Sequence, residues 1–164
     1  MKKEINVLWI GFVLICILTI ILSNLNCVKL VPKYFEGLPF GDNDVTYGFD
    51  GKPLKLPEPT YYNAFSIVVG CSTLCIILTF FKKRFLNIAG NAVALFQMLS
   101  VCFLPSIRDF LEEVGRPYGC AIGAVYGRYE AMPMCLIVGG LCIVVFVYSL
   151  LMTVTRIRYK NYNS

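Results

Sequence analysis

Cysteine is the residue type in this sequence with the widest chemistry, because a thiolate can bind a metal ion, attack a disulfide or be oxidised. The chain has eight cysteines and no histidine. Six of them fall within long apolar runs: Cys16, Cys71, Cys75, Cys102, Cys135 and Cys142. A thiolate is costly in such surroundings and no histidine is present to complete a mixed site, so we expect these six to pack as small hydrophobic side chains. The sequence therefore predicts no metal site and no cofactor.

Cys27 and Cys120 differ from the other cysteines because each lies in a polar stretch between apolar runs. On the oxidising side of a membrane, two such thiols can form a disulfide if their Cα atoms come within about 7 Å. Cys27 and Cys120 are therefore a candidate disulfide, and a thiol-redox function would have to use them. No C-x-x-C motif accompanies them.

Other catalytic groupings are missing from the sequence. A Ser/His/Asp triad needs a histidine, and no glycine-rich phosphate loop occurs. Glu112 and Glu113 are adjacent in sequence, so on a helix they point in different directions. The sequence offers neither a nucleophile nor a base, which favours a non-catalytic protein over an enzyme.

Four apolar runs without an acidic or basic residue dominate the chain. Apolar residues make up 57% of it and charged residues 15%, whereas soluble domains contain about 45–50% apolar residues. A helix needs roughly 20 apolar residues to cross the hydrocarbon of a bilayer. The predicted spans are residues 5–25, 62–81, 85–105 and 132–154. We therefore predict an all-α membrane protein, with a single four-transmembrane-helix bundle over residues 1–164.

The charges predict how the bundle is oriented, because lysine and arginine collect on the cytosolic side of membrane proteins. Eight bases and one acid lie in the two terminal segments and the short connection 82–84. The two longer loops, residues 26–61 and 106–131, hold seven bases and nine acids. We infer that both termini are cytosolic and that the longer loops face outward. Lys82, Lys83 and Arg84 are the expected topology determinants.

The location and partners follow from the same pattern. The outward loops contain no N-x-[ST] glycosylation site, which favours a multi-pass protein of a bacterial plasma membrane over one in a secretory organelle. The basic connection is explained by topology, so no nucleic-acid partner is predicted. The lipid bilayer is the first predicted partner.

The outward loops are rich in turn-forming residues, and we expect them to form a small cap on the bundle. Asp50-Gly51 separates two short β-forming runs, which is the signal of a two-residue β-hairpin. A variant capping box at Ser106 predicts a short interfacial helix over residues 107–114, ended by Gly115.

Asn91 and Gln97 are the strongest polar groups deep within the apolar runs. Each is expected to hydrogen bond across a helix interface. Small residues allow helix backbones to approach closely at such contacts. The expected contact faces contain Gly90 and Ala94, Ser66 and Gly70, and Gly139 with Gly140. The alternative is a polar ligand pocket around Asn91 and Gln97.

These features favour three functions. The first is a non-catalytic accessory or regulatory subunit that binds another membrane protein through its outward loops and small-residue helix faces. Self-association through the same faces is the alternative to such a partner. The second is a small transporter or channel subunit, in which the helices assemble around Asn91 and Gln97. The third is a thiol-redox membrane protein that uses Cys27 and Cys120.

The charge distribution gives a direct test of orientation. An epitope tag inserted beside Lys83 should be hidden from antibody in intact cells and become accessible after permeabilisation, because the basic connection is expected to stay in the cytosol. A tag beside Gly41, in the first outward loop, is the matched control and should be accessible in both conditions. Antibody binding to the Lys83 tag on intact cells would overturn the predicted orientation.

Overall fold

The computed structural model describes residues 2–33, 60–81, 83–119 and 126–162. The helices are α1 (Lys2–Ser23), α2 (Phe65–Phe80), α3 (Arg84–Cys102), α4 (Leu104–Gly119) and α5 (Pro133–Tyr162). The strands are β1 (Asn26–Lys33), β2 (Thr60–Asn63) and β3 (Tyr126–Ala131). The mostly helical fold predicted from the sequence is confirmed.

Four of the helices form a bundle in which each contacts two neighbours. α1 contacts α2 and α5, and α3 contacts the same two helices. α1 ends just before β1, whereas α2 and α5 each begin just after a strand. The sheet therefore lies at one end of the bundle, and the short α2–α3 connection lies at the other.

The side chains that the bundle buries recur every three or four residues, which is the 3.5-residue repeat of helices that supercoil around one another. These seams contain Phe12, Cys16, Thr19 and Ser23 on α1; Val68, Ser72, Cys75 and Thr79 on α2; Asn87, Gly90, Ala94, Gln97 and Val101 on α3; and Cys135, Val138, Cys142, Val145, Ser149 and Met152 on α5. Most of these side chains are small or polar. Small residues at a seam let helix backbones approach closely. Of the small residues expected at such contacts, Gly90 and Ala94 are buried in the α3 seam, whereas Ser66 and Gly70 are exposed on α2 and that part of the prediction was wrong.

The outward faces of the same helices carry the larger apolar side chains. Val7 and Leu14 on α1 are 62% and 61% exposed, and Leu136 on α5 is 75% exposed. On α3, Phe85 and Phe96 are 79% and 62% exposed. The bundle is thus more apolar on its outside than along its inner seams, the reverse of a water-soluble helix bundle.

Two helical segments, Arg84–Cys102 and Pro133–Arg158, are long and apolar enough to cross a membrane. Val7–Ser23 and Phe65–Phe80 are shorter apolar helices. The second predicted span was expected to begin at residue 62, but residues 60–63 form β2 and the helix begins at Phe65.

The sheet joins segments that are distant in sequence. Its order is β2-β1-β3, with both pairings antiparallel. Val28 of β1 pairs with Tyr62, whereas Lys29 pairs with Tyr61 on one side and Glu130 on the other. Successive residues of a strand point to opposite faces, so buried Val28 marks the inner face, toward the bundle. We call Tyr61, Lys29 and Glu130, on the opposite face, the outer row.

Backbone hydrogen bonds tie this sheet to the helix ends. The Ala64 N–H donates to the Ser23 carbonyl at 3.2 Å, which joins the start of α2 to the end of α1. The Met132 N–H donates to the Cys27 carbonyl at 2.9 Å, which joins the start of α5 to β1. These backbone hydrogen bonds therefore fix the position of the sheet relative to the ends of the helices.

Pro105, the second residue of α4, explains why α3 does not continue into α4. Proline has no N–H, and its ring collides with the carbonyl four residues earlier in a continuing helix. That carbonyl belongs to Val101, and α3 ends at Cys102. The thiol of Cys135 on α5 donates to the Val101 carbonyl at 3.6 Å. Leu104, at the start of α4, is buried and holds the bend against the bundle.

The predicted bounds of the interfacial helix were wrong. α4 runs from Leu104 to Gly119 and passes through Gly115 instead of ending there. A glycine inside a helix costs only about 1 kcal/mol relative to alanine, which does not by itself end a helix. The predicted hairpin at Asp50-Gly51 lies outside the described residues. The sheet in the described residues comes from segments at the ends of the two longer loops, and it was not predicted from the sequence.

Gly90 and Gly70 offer a matched test of the bundle packing. A Cβ atom at Gly90 would lie 3.3 Å from the Thr79 Cγ2 atom and 3.7 Å from the Leu78 Cβ atom, whereas one at Gly70 would meet nothing within 4 Å. Gly90→Leu should force α2 and α3 apart and lower the stability by about 1–3 kcal/mol. Gly70→Leu makes the same gain in helix propensity without the collision.

Thermal unfolding of both variants in mild detergent measures this difference. The melting temperature of Gly90→Leu should fall below that of the parent protein, and that of Gly70→Leu should not. Equal melting temperatures for the two variants would contradict the close α2–α3 contact at Gly90.

Candidate functional site

A column of polar side chains follows the buried side of α3. Asn87, Asn91 and Gln97 lie on this side because they fall near the 3.5-residue repeat that faces the other helices. Their partners come from α2 and α5. We call these three residues and their partners the polar column.

Gln97 is the most deeply placed member of the polar column, with no exposed surface. Its Oε1 accepts a hydrogen bond from the Ser72 hydroxyl of α2 at 3.2 Å. Its Nε2 donates to the Cys142 sulfur of α5 at 3.5 Å. One side chain therefore links three helices, using its acceptor toward one neighbour and its donor toward the other.

Asn91 links α3 to α5 at a point six residues closer to the α2–α3 connection than Gln97. Its Nδ2 donates to the Thr153 hydroxyl at 3.1 Å, and its Oδ1 accepts a bond from the Ser149 hydroxyl at 2.5 Å. Thr153 also donates to the Ser149 carbonyl, four residues earlier on its own helix. Both ends of the Asn91 amide are thus occupied by side chains of the same chain.

Arg156 completes the polar column at the end of the bundle opposite the sheet. Its Nη1 lies 2.6 Å from the Asn87 Oδ1 atom and 2.7 Å from the Thr79 carbonyl oxygen. Thr79 is in the last turn of α2, where carbonyls have no partner within the helix. One guanidinium on α5 therefore binds the end of α2 and the start of α3. Its buried Nε and Nη2 atoms have no partner among the described residues.

A second group of polar and aromatic residues connects α4 to the sheet. The Arg108 guanidinium lies 4.4 Å from the centre of the Tyr62 ring, a cation–π geometry. The Tyr62 and Tyr129 rings are 5.6 Å apart. The Asp109 carboxylate accepts a hydrogen bond from the Tyr129 N–H at 3.0 Å. Two consecutive residues of α4 thus bind β2 and β3, and we call this group the α4 latch.

Cys27 and Cys120, the candidate disulfide, are not brought together by what the structure describes, because Cys120 lies outside it. Cys27 is a buried free thiol that donates to the Leu25 carbonyl at 3.4 Å. Burial raises the pKa of Cys27 above its ordinary value, and a hydrogen bond involving the Ala64 backbone opposes that shift only in part. A raised pKa disfavours the reactive thiolate at neutral pH. The pairing remains a prediction.

The other cysteines are distributed through the bundle. Cys16, Cys75, Cys135 and Cys142 are buried in the seams, Cys71 is half-buried and Cys102 is exposed. No three His, Cys, Asp or Glu side chains within the described ranges are grouped so that they could hold a metal ion.

The basic residues expected to set the topology lie where α2 meets α3. Lys83 precedes α3 and Arg84 begins it, and both side chains are exposed. Lys82 lies outside the described residues. Arg156, at this end of the bundle, is one of the eight basic residues of the charge pattern, and its contacts with Asn87 and Thr79 were not predicted from the sequence. The signal was present, because Arg156 continues the repeat that runs through Ser149 and Met152 at spacings of three and four.

Comparisons with known proteins do not identify the chain. No protein-family model matches it, and neither a curated protein nor a solved structure shows significant similarity to it.

Arg156 and Arg158 provide a matched test of the polar column. Arg156→Met removes the hydrogen bonds to Asn87 and Thr79, and hydrogen bonds from charged groups contribute about 1.5–3 kcal/mol each when buried. Because Arg156 is partly exposed, we expect a loss of roughly 1–3 kcal/mol for the pair. Arg158→Met removes the same charge from an exposed side chain on the same helix. It should change the stability by less than about 0.5 kcal/mol.

Denaturant titration of both variants in detergent micelles, followed by circular dichroism, measures the two free energies of unfolding. A loss of similar size in Arg158→Met would mean that the charge alone stabilises the protein, and the hydrogen bonds of Arg156 would lose their assigned role.

Proposed function

We propose that this chain is a four-span membrane protein whose bundle is formed by α1, α2, α3 and α5. The observation that carries the proposal is the distribution of side chains, with small and polar groups along the inner seams and large apolar groups outside. In water this arrangement would expose most of the large apolar side chains of four helices, which is unfavourable. In a bilayer the same surface is solvated by lipid, and the seams supply the close packing that holds membrane helices together.

The proposed orientation places both termini and the α2–α3 connection in the cytosol. Lys83 and Arg84 are exposed at that end, and Arg156 lies at the same end of α5. The outer row of the sheet, at the opposite end, contains one lysine and one glutamate in register. Basic residues thus gather at the proposed cytosolic end, whereas at the other end the lysine of the outer row is paired with a glutamate. This difference agrees with the positive-inside rule and supports a multi-pass protein of the plasma membrane.

Within this framework we propose a non-catalytic accessory or regulatory subunit that binds another membrane protein through its outward side. The outer row offers an exposed tyrosine, Tyr61, beside Lys29 and Glu130. Tyrosine is enriched at protein interfaces because it combines a large apolar ring with a hydroxyl group. The sheet is held to the bundle by backbone hydrogen bonds, so this surface has a fixed relation to the spans.

The polar column supports a structural role over a transport pathway. Gln97 and Asn91 use both their donors and their acceptors on side chains of the same chain. A transported ion or polar solute would have to displace these bonds. Such bonds contribute about 0.6 kcal/mol on average in membrane bundles, so this column favours correct helix register more than it adds stability.

A thiol-redox function receives less support than the accessory role. Cys27 is buried, and its raised pKa disfavours the thiolate that exchange requires. The cysteines in the seams occupy positions where a small side chain is needed for helix contact.

Site-specific photocrosslinking tests the accessory role. A photoreactive amino acid at Tyr61 in the outer row should form a discrete adduct with one other membrane protein in native membranes. The matched control is the same amino acid at Phe81, which is 57% exposed at the opposite end of the bundle. It should give lipid adducts alone. Purification in mild detergent followed by mass spectrometry identifies the captured chain.

Two results would count against this function. Adducts with lipid alone at both positions would leave the chain without a companion. Adducts that join Tyr61 only to a second copy of the same chain would indicate self-association in place of an accessory role.

A further inference from the structure

The first turns of α4 present their apolar and polar side chains in an unexpected arrangement. Phe110 and Leu111 are 63% and 59% exposed, and Ile107 is also exposed. Arg108 and Asp109, between them in sequence, are directed to the sheet by the α4 latch. Arg108 and Asp109 therefore contact the sheet, whereas the large apolar side chains beside them are exposed.

The exposed apolar side chains fall on one side of the helix. Phe103, Ile107, Phe110 and Leu111 are spaced by four, three and one residues, which places them on a single face. Phe103 is 56% exposed and lies at the bend between α3 and α4. We call these four residues the α4 apolar face.

The α4 apolar face continues the outward surface of α3. Phe96 and Leu99 are exposed on α3, and Phe103 follows them at helical spacing. The apolar surface of α3 therefore passes through the bend at Phe103 and onto α4 without a charged residue between. The medium that surrounds the half of α3 nearest α4 therefore also surrounds the α4 apolar face.

We propose that the α4 apolar face lies in the outer interface of the bilayer, where its side chains enter the acyl-chain boundary of the lipid. This inference rests on the proposed membrane-spanning bundle and adds that α4 binds the lipid surface directly. Interfacial helices bury an apolar face at this depth and keep their polar groups on the other side. On α4 the polar groups hold the sheet, so the lipid contact and the sheet contact occupy different sides of one helix.

This arrangement assigns a mechanical role to the α4 latch. The α4 apolar face is fixed to the lipid surface, and Arg108 and Asp109 are fixed to β2 and β3. The height and tilt of the outer row above the membrane are then set by α4. A partner that binds the outer row would meet it at a defined distance from the bilayer.

Tryptophan fluorescence in vesicles tests this proposal, because the chain has one native tryptophan, Trp9. In a Trp9→Phe background, full-length Phe110→Trp is reconstituted into phosphatidylcholine vesicles brominated near the headgroup end of the acyl chains. Its emission should be blue-shifted and lose most of its intensity to the brominated lipid. Acrylamide in the aqueous phase should quench it weakly.

Two matched variants separate this proposal from the membrane-spanning bundle. Tyr61→Trp, in the outer row, should be quenched by acrylamide and little by brominated lipid. Ile143→Trp, on the exposed face of α5, should be quenched by lipid brominated deeper in the acyl chains.

Each result at Phe110 has a defined meaning. Quenching by shallow brominated lipid, together with quenching at Ile143 by deep brominated lipid, supports the interfacial helix. Acrylamide quenching at Phe110 with normal lipid quenching at Ile143 overturns it and leaves the bundle intact. Blue-shifted emission that neither reagent quenches also overturns it, because protein then covers the α4 apolar face. Loss of lipid quenching at Ile143 overturns the spanning bundle and the inference together.

Discussion

The rest of this structure depends on how the four-helix bundle distributes its side chains: small and polar ones lie mainly inside, and large apolar ones lie mainly outside. The seams are rich in cysteine, serine, threonine and valine, with Phe12 and Met152 as their large apolar members, whereas most leucine, isoleucine and phenylalanine side chains of these helices face outward. With so few large side chains inside, the helices must approach closely, and they depend on small residues such as Gly90 and Gly139 to do so. Several seam cysteines are explained by this need for a small, weakly polar side chain. Their chemistry as thiols is secondary to their size.

The polar column determines how the helices fit together. A bundle packed from small residues has many registers of similar energy, because one small side chain replaces another easily. Gln97, Asn91 and Arg156 each need particular partners on neighbouring helices, and a shift by one turn would leave them unpaired in apolar surroundings. The column thus selects one alignment of α2, α3 and α5. Asparagine at a coiled-coil seam fixes register by the same principle.

The sequence predicted the helices well and the cap poorly, for physical reasons. A long uncharged run has few alternatives to a helix, so both bounds of α3 and the start of α5 were predicted within three residues. The end of α5 was missed, because the helix continues through the basic residues that follow the apolar run and ends at Tyr162. The sheet was missed because its strands are short and pair across the chain. Residue 28 meets residue 131, and no local pattern records that contact. The extended α4 was underestimated because Gly115 was read as a stop signal. For the polar column, Asn91 and Gln97 were identified from residue type alone, whereas Arg156 needed its helical register to be followed beyond the apolar run.

The pairing of β1 with β3 also has a consequence for biogenesis. β1 leaves the ribosome early, directly after the first helix, and its partner emerges only when most of the chain has been made. Contacts between such distant segments form slowly because a long stretch of chain must first be ordered. The three-stranded sheet therefore cannot be complete until β3, directly before the last helix, has been made. A surface built in this way is complete only on chains that have been made at least as far as β3, so the outer row distinguishes these chains from shorter, unfinished ones.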